Sequence, residues 1–132
     1  MEFQTLLESR RSVRSYDASK TVTREQIKEI VEAGILAPSW KNSQTARYYC
    51  VIDEAAKEKF AKECLPEFNI NSSKGAGAYV ITTFVANRSG FDREGNPDNE
   101  CGNGWGYYDL GLHNENVILK AKELGLDTLV MG

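Results

Sequence analysis

The sequence predicts an α+β fold in which helices flank a mixed central β-sheet. Two runs rich in β-branched and aromatic residues, 48–52 and 79–85, have the composition of strands. Good helix formers at 55–64 separate them, and a final strand is expected to begin at residue 128. No internal repeat or low-complexity linker divides the 132 residues, a length that suffices for one core. We therefore expect a single domain, 1–132.

Three further helices follow from the spacing of apolar residues. Residues 2–10 predict a short amphipathic helix. Thr23 and Gln26 match a capping box, and apolar residues at helical spacing continue the second helix. It must end before Pro38, because a residue that precedes proline avoids helical geometry. The third helix is predicted over residues 107–124.

Between the second strand and the last helix lies a segment without periodicity. Residues 88–106 are rich in Gly, Asn and Asp and predict a long loop, a frequent place for function. Trp105, Tyr107 and Tyr108 could stack on a substrate, although packing in a core or interface is the favoured interpretation. His113 is predicted to lie on the helix surface or at an interface rather than to act in catalysis.

Composition excludes several classes of protein. Sixteen Lys and Arg against nineteen Asp and Glu give a net charge of −3, which offers no broad attraction to nucleic acid or to an anionic membrane. The longest apolar run, 78–86, is too short to span a bilayer, and the N-terminus lacks a secretion signal, so a cytoplasmic protein is expected. Cys50, Cys64 and Cys101 are odd in number and widely spaced, so neither disulfides nor a metal site is predicted.

A cluster of cations follows the first helix. Arg10, Arg11, Ser12 and Arg14 place three guanidinium groups and one hydroxyl within five residues. Arginine forks match phosphate oxygens in two-point hydrogen bonds, and a serine hydroxyl adds another donor. The cluster is therefore a candidate phosphate clamp. A solvated basic patch is an equally good interpretation of composition alone.

A second cluster lies between the second helix and the first strand. It reads Ala37-Pro38-Ser39-Trp40-Lys41-Asn42-Ser43-Gln44. Asn and Gln offer both donors and acceptors, which suits recognition of a heterocycle with alternating carbonyl and N–H groups. The alternative is a polar turn whose side chains satisfy the local backbone.

Together and in this order, the two clusters resemble the N-terminal half of flavoproteins of the nitroreductase family. The end of the chain is also similar to the family's long helix and next strand, through Asn116-x-x-Leu119-x-Ala121-x-x-Leu124-Gly125-Leu126-x-Thr128 followed by Gly132. The resemblance covers nearly the whole chain and is weakest over residues 66–106.

The resemblance implies a homodimer that binds FMN and takes hydride from NAD(P)H for delivery as electrons to a nitroaromatic, quinone or similar acceptor. The flavin would carry the chemistry, so no catalytic side chain is predicted. Alternatives are a flavin-binding or dimerisation module without turnover, and a member of the family that acts on a different aromatic substrate, by dehalogenation or flavin remodelling.

Site residues carry over by position. The phosphate and ribityl chain would be held by Arg10, Ser12 and Arg14, with Arg11 beside them. The partner subunit would supply Pro38, Ser39, Trp40 and Asn42, with Gln44 near the ring or ribityl chain. Asn71 and Lys74 would contact the isoalloxazine, and the backbone of Met131 and Gly132 would approach the ring.

One departure from the family pattern concerns the end of the sequence. Family members usually supply a late basic residue to the phosphate and a C-terminal extension that locks the dimer. The sequence stops at Gly132, soon after the predicted final strand begins. We therefore interpret the chain as truncated at its C-terminus and expect it to need a second subunit for a complete flavin site.

Overall fold

Helices dominate the fold and accompany one small sheet. The computed structural model describes all of residues 1–132. In chain order its elements are α1 (Phe3–Ser9), α2 (Arg24–Ile35), β1 (Ala46–Val51), α3 (Glu54–Cys64), α4 (Glu67–Ser73), β2 (Tyr79–Phe84) and α5 (Gly104–Glu123). The predicted helices and the first two predicted strands are thus confirmed. No helix combines the length and the apolar character that crossing a bilayer requires.

The core forms where α2 lies against α5. Ile30 of α2 packs with Val117 and Ala121 of α5, and all three are buried. Burying an isoleucine or valine side chain fully stabilises a fold by about 1.5–3 kcal/mol. The predicted capping box starts α2, because the hydroxyl of Thr23 accepts from the Gln26 amide at 3.1 Å and the Gln26 side chain accepts from the Thr23 amide at 2.9 Å.

Gly34 allows this close packing. A Cβ at this position would lie 2.9 Å from Val117 Cγ2 and 3.0 Å from the Tyr48 hydroxyl. Both distances are shorter than ordinary van der Waals contacts, so any larger residue would push α2 away from α5 and β1. The Tyr48 hydroxyl has no hydrogen-bond partner here, and burial raises its pKa to about 12.

Helix α5 buries a face that mixes small, polar and apolar residues. Its buried residues recur at helical spacing and are Gly106, Asp109, His113, Val117 and Ala121. The prediction that His113 lies on the surface is therefore wrong: it is 4% exposed, with Nδ1 2.7 Å from the Asp109 carbonyl oxygen. The spacing of apolar residues does not identify such a face, because Gly106, Asp109 and His113 carry no hydrophobic signal.

The sheet has two strands. β1 and β2 pair antiparallel, in a register that runs from Ala46 opposite Phe84 to Val51 opposite Tyr79. Parallel pairing is limited to one bridge between Ser12 and Thr128, where the Val13 amide donates to the Thr128 carbonyl at 3.0 Å. The predicted mixed central sheet is therefore not confirmed. The predicted final strand is reduced to this bridge, because no backbone hydrogen bond continues the ladder past Thr128.

Two helices connect the strands where one was predicted. Asp53 caps α3 as its side chain accepts from the Ala56 amide at 3.0 Å. The additional helix, α4, buries Asn69 and Ser73, and the Ser73 hydroxyl donates to the Asn69 carbonyl at 2.7 Å. Its asparagines and serines are poor helix formers, which explains why the sequence did not predict it.

Candidate functional site

The arginine segment (residues 10–14) follows α1 directly and contains the bridge residue Ser12. Arg10 is partly buried, and Arg11, Ser12 and Arg14 are exposed. The Arg11 guanidinium donates to the backbone carbonyls of Glu8 at 2.6 Å and Arg10 at 2.8 Å. Arg14 makes one long contact, 3.4 Å to the Ser12 carbonyl. No arginine of the segment forms an ion pair, because every salt bridge of the chain is made by a lysine.

A tyrosine fixes the end of this segment. The Tyr16 hydroxyl donates to the Val13 carbonyl at 2.7 Å. Burial, with the negative charge of Asp127 as the next cause, raises the pKa of Tyr16 above its ordinary value of 10.0. The hydroxyl therefore stays protonated at neutral pH and remains a donor.

The 38–44 turn follows α2 and contains a short 3-10 helix, Trp40–Asn42. Lys41, Asn42 and Gln44 have φ angles of 44°, 54° and 51°, in the left-handed region that costs free energy for residues other than glycine. The Gln44 amide donates to the Ser39 hydroxyl at 3.0 Å, and its side chain donates to the Asn42 side chain at 3.0 Å. Backbone strain of this kind clusters at functional sites.

A buried carboxyl group anchors this turn to α5. Asp109 is 2% exposed, and its two oxygens lie 3.1 and 3.0 Å from the Trp40 amide nitrogen, which donates to them. The Ser89 hydroxyl donates to the same carboxyl at 2.6 Å and lies 3.3 Å from the Thr45 hydroxyl. We call Asp109, Ser89 and Thr45 the Asp109 cluster. The sequence did not predict it.

The long loop before α5 packs on the same turn. The rings of Trp40 and Trp105 lie 4.4 Å apart, and Lys41 pairs with Asp98 at 2.9 Å. The Trp40 indole N–H is buried without a partner. Trp105 thus packs within the chain, as the favoured interpretation held. Tyr107 and Tyr108 keep most of their surface exposed, at 70% and 61%.

The remaining predicted residues lie near α4 and the end of the chain. Asn71 and Lys74 are exposed, whereas the Asn69 side chain reaches the Gly132 carbonyl at 3.4 Å. Met131 and Gly132 line a cleft of about 730 Å³ between β2, α5 and residues 125–132. None of the other predicted cofactor residues lines this cleft.

Apart from the residues near α4 and the end of the chain, the predicted residues lie in two separate groups, the arginine segment and the 38–44 turn. No hydrogen bond or ion pair within the chain joins the arginine segment to the 38–44 turn. The first group offers guanidinium donors free of carboxylates, which suits a phosphate. The second offers amide donors and acceptors together with an unpartnered indole N–H, which suits a heterocycle. The residues present therefore fit the two halves of a flavin mononucleotide.

The sequence model described as the nitroreductase family matches residues 7–82, more than half of the chain. The chain therefore belongs to the nitroreductase family.

Individual relatives agree with this assignment. The protein YdgI of Bacillus subtilis, named an NAD(P)H nitroreductase, is 35% identical over 84 residues, which are 64% of this chain and 39% of YdgI. A Desulfovibrio desulfuricans protein, solved as a nitroreductase in complex with FMN, is 26% identical with a TM-score of 0.73, covering 98% of this chain and 67% of that one. An Exiguobacterium sibiricum protein solved with FMN shares the fold at 23% identity and a TM-score of 0.77, covering 100% and 75%.

Proposed function

We propose that this chain acts as an FMN-dependent oxidoreductase, which uses the flavin to take hydride from NADH or NADPH and to pass electrons to a nitroaromatic, a quinone or a similar acceptor. One observation carries the proposal: in a member of the nitroreductase family, the three guanidinium groups of the arginine segment have no carboxylate partner. Structurally similar proteins from D. desulfuricans and E. sibiricum were solved with FMN, which supports the choice of cofactor.

The arginine segment would hold the anionic end of the cofactor. Arg10, Arg11 and Arg14 can present forked donors to a phosphate, and the Ser12 hydroxyl adds a donor beside them. Arg11 and Arg14 are exposed and bonded only to backbone carbonyls, so a phosphate would not have to displace an ion pair.

The 38–44 turn would border the cofactor from a second copy of the chain. Pro38, Ser39, Trp40, Asn42 and Gln44 have no polar link to the arginine segment of their own chain, which supports a homodimer in which two chains build each site. Analytical ultracentrifugation with bound FMN tests this arrangement. A monomer that retains one FMN per chain would contradict it.

Residues near the end of the chain would approach the ring. The contact between Asn69 and the Gly132 carbonyl brings α4 close to Met131 and Gly132. Asn71 and Lys74 of this region are exposed and free to turn towards a ligand. A lysine cation beside the ring would stabilise negative charge on the reduced flavin.

Purification and a reduction assay test the function. We expect yellow protein whose cofactor is released on denaturation with the mass of FMN. NADPH or NADH should bleach the absorbance, and a nitro compound or quinone should restore it. Colourless protein that does not take up added FMN would contradict the proposal.

A flavin-binding module without turnover is the second candidate. The chain spans 39% of YdgI and 67% of the D. desulfuricans protein, so the activity of the whole relatives does not carry over to it directly. Bound FMN that NADPH and NADH fail to bleach would support this candidate. Restoration by a halogenated aromatic or by free flavin, but not by a nitro compound or quinone, would instead indicate a different aromatic substrate.

A further inference from the structure

We propose that Asp109 is a positioning residue, which holds the 38–44 turn in the conformation that contacts the cofactor. The inference rests on the proposed function, because it assigns to the turn a place beside FMN. Asp109 does not touch the cofactor in this proposal. It acts through the backbone of Trp40.

The burial of Asp109 and its donors are the first argument. The side chain is 2% exposed and pairs with no lysine or arginine, so neutral donors alone satisfy it. These donors are the Trp40 amide, at 3.1 and 3.0 Å from the two oxygens, and the Ser89 hydroxyl, at 2.6 Å. A buried acidic group is costly unless it is fully hydrogen-bonded, which makes this arrangement specific.

The second argument is that the Asp109 cluster holds the turn on both sides. Trp40 lies near its start, and Thr45 follows its last residue directly. Thr45 is 0% exposed, and its hydroxyl lies 3.3 Å from that of Ser89, which donates to Asp109. One buried group therefore fixes the chain before and after the strained residues.

The third argument is that the other polar links from the turn to the rest of the chain are exposed. Lys41 pairs with Asp98 at 2.9 Å with 68% of its side chain exposed, and Arg47 donates to the Gln44 carbonyl at 2.9 Å on the surface. Exposed links of this kind are weak. The three left-handed residues therefore depend mainly on Asp109 to keep their conformation.

The test compares Asp109→Asn with Glu115→Gln, which makes the same chemical change at an exposed position of α5. Fluorescence titration of the full chain should give an FMN Kd about 10-fold to 100-fold higher for Asp109→Asn, the equivalent of losing a hydrogen bond to a charged group. Glu115→Gln should leave the Kd unchanged. Equal Kd values for wild type and Asp109→Asn would overturn the proposal.

A double-mutant cycle separates positioning from a general loss of structure. If Asp109 acts through the turn, Asn42→Ala should add little to the loss already caused by Asp109→Asn, whereas Arg14→Ala should add its full effect. A merely structural role would not distinguish Asn42 from Arg14. Full additivity at Asn42 would therefore contradict the proposal.

Hydrogen exchange gives a measurement that needs no cofactor. The Trp40 amide should exchange at least about 10-fold faster in Asp109→Asn than in Glu115→Gln, because an amide oxygen accepts more weakly than a carboxylate and only one of the two acceptor oxygens remains. If Asp109→Asn does not fold, Ser89→Ala removes one donor of the cluster and should weaken FMN in the same direction. Slow exchange of the Trp40 amide in a wild type that binds no FMN would leave the hold on the turn intact but contradict the proposed function.

Discussion

The arginine segment and the 38–44 turn are held in opposite ways. The arginine segment is mostly exposed and makes polar contacts to its own backbone carbonyls. The turn is strained at three residues and anchored to a buried carboxyl group. A charge can meet a phosphate from several side-chain conformations, whereas backbone groups must be held in place. The difference suits an arginine segment that attracts an anion through its charge and a 38–44 turn that presents its groups in a fixed geometry.

The largest effect on stability is expected on the anchored side. Asp109→Ala should lower the free energy of unfolding by about 2–4 kcal/mol, because the Trp40 amide and the Ser89 hydroxyl would lose their acceptor while remaining buried. Urea denaturation measures the change. Glu115→Ala, on the exposed side of the same helix, should alter stability by less than about 0.5 kcal/mol. Similar free energies of unfolding for Asp109→Ala and Glu115→Ala would show that the buried carboxyl group does not anchor the turn.

On the exposed side, the effect should appear in binding and not in stability. Arg14→Ala should weaken FMN binding by about 1.5–3 kcal/mol if its guanidinium meets the phosphate. The free energy of unfolding should change by less than about 0.5 kcal/mol, since the side chain makes one contact at 3.4 Å. Fluorescence titration gives the first quantity and urea denaturation the second. Arg93→Ala, an exposed arginine of the long loop, is the control. Unchanged affinity in Arg14→Ala would make the segment a solvated patch.

Tyr48 extends the comparison to pH, because its buried hydroxyl must stay neutral. Its pKa in the fold is about 12, above the ordinary value of 10.0. The free energy of unfolding therefore keeps the full contribution of the neutral Tyr48 hydroxyl below pH 10. It loses this contribution as the pH rises to about 12. We expect a loss on the order of 1–2 kcal/mol, after allowing for the partly exposed ring.

Tyr48→Phe provides the control for this pH dependence. The variant should remove this part of the pH dependence, and its stability near neutral pH should equal or exceed that of wild type, since the hydroxyl has no partner. Urea denaturation of both proteins at pH ~9 and ~11.5 measures the difference. Parallel curves for the two proteins would show that the hydroxyl ionises freely.

The smallest effect concerns strain within the turn. Lys41 has a φ of 44°, which glycine adopts more readily than alanine. Both Lys41→Gly and Lys41→Ala remove the exposed pair with Asp98. Lys41→Gly should therefore be more stable than Lys41→Ala by about 0.5–1 kcal/mol. The reverse order would show that the turn is not strained at this residue.

Local signals in the sequence predicted much of this molecule. The capping box at Thr23 and Gln26 and the β-branched and aromatic composition of the strands act over a few residues, so they can be identified without a structure. The polar residues of the 38–44 turn were predicted for the same reason. Their role beside a cofactor stays a prediction, as does that of the arginine segment.

The Asp109 cluster could not be predicted in this way. Asp109 and Trp40 are 69 positions apart, and an aspartate on a long helix normally indicates a solvated face. Its meaning depends on which face of α5 turns inward, and that depends on how α2 packs. The mixed central sheet is not confirmed for a related reason, because pairing of a strand depends on a partner elsewhere in the chain.

The missing side chain of Gly34 also governs the approach of the turn to its surroundings. Helix α2 ends at Ile35, shortly before the 38–44 turn, so a tilt of this helix would also displace the turn. A methyl group at Gly34 would open the gap to Val117 and Tyr48 by tenths of an ångström and swing Trp40 relative to Asp109. The absence of a side chain at Gly34 thus sets the distance between α2 and its neighbours, and through α2 it also influences the position of the 38–44 turn.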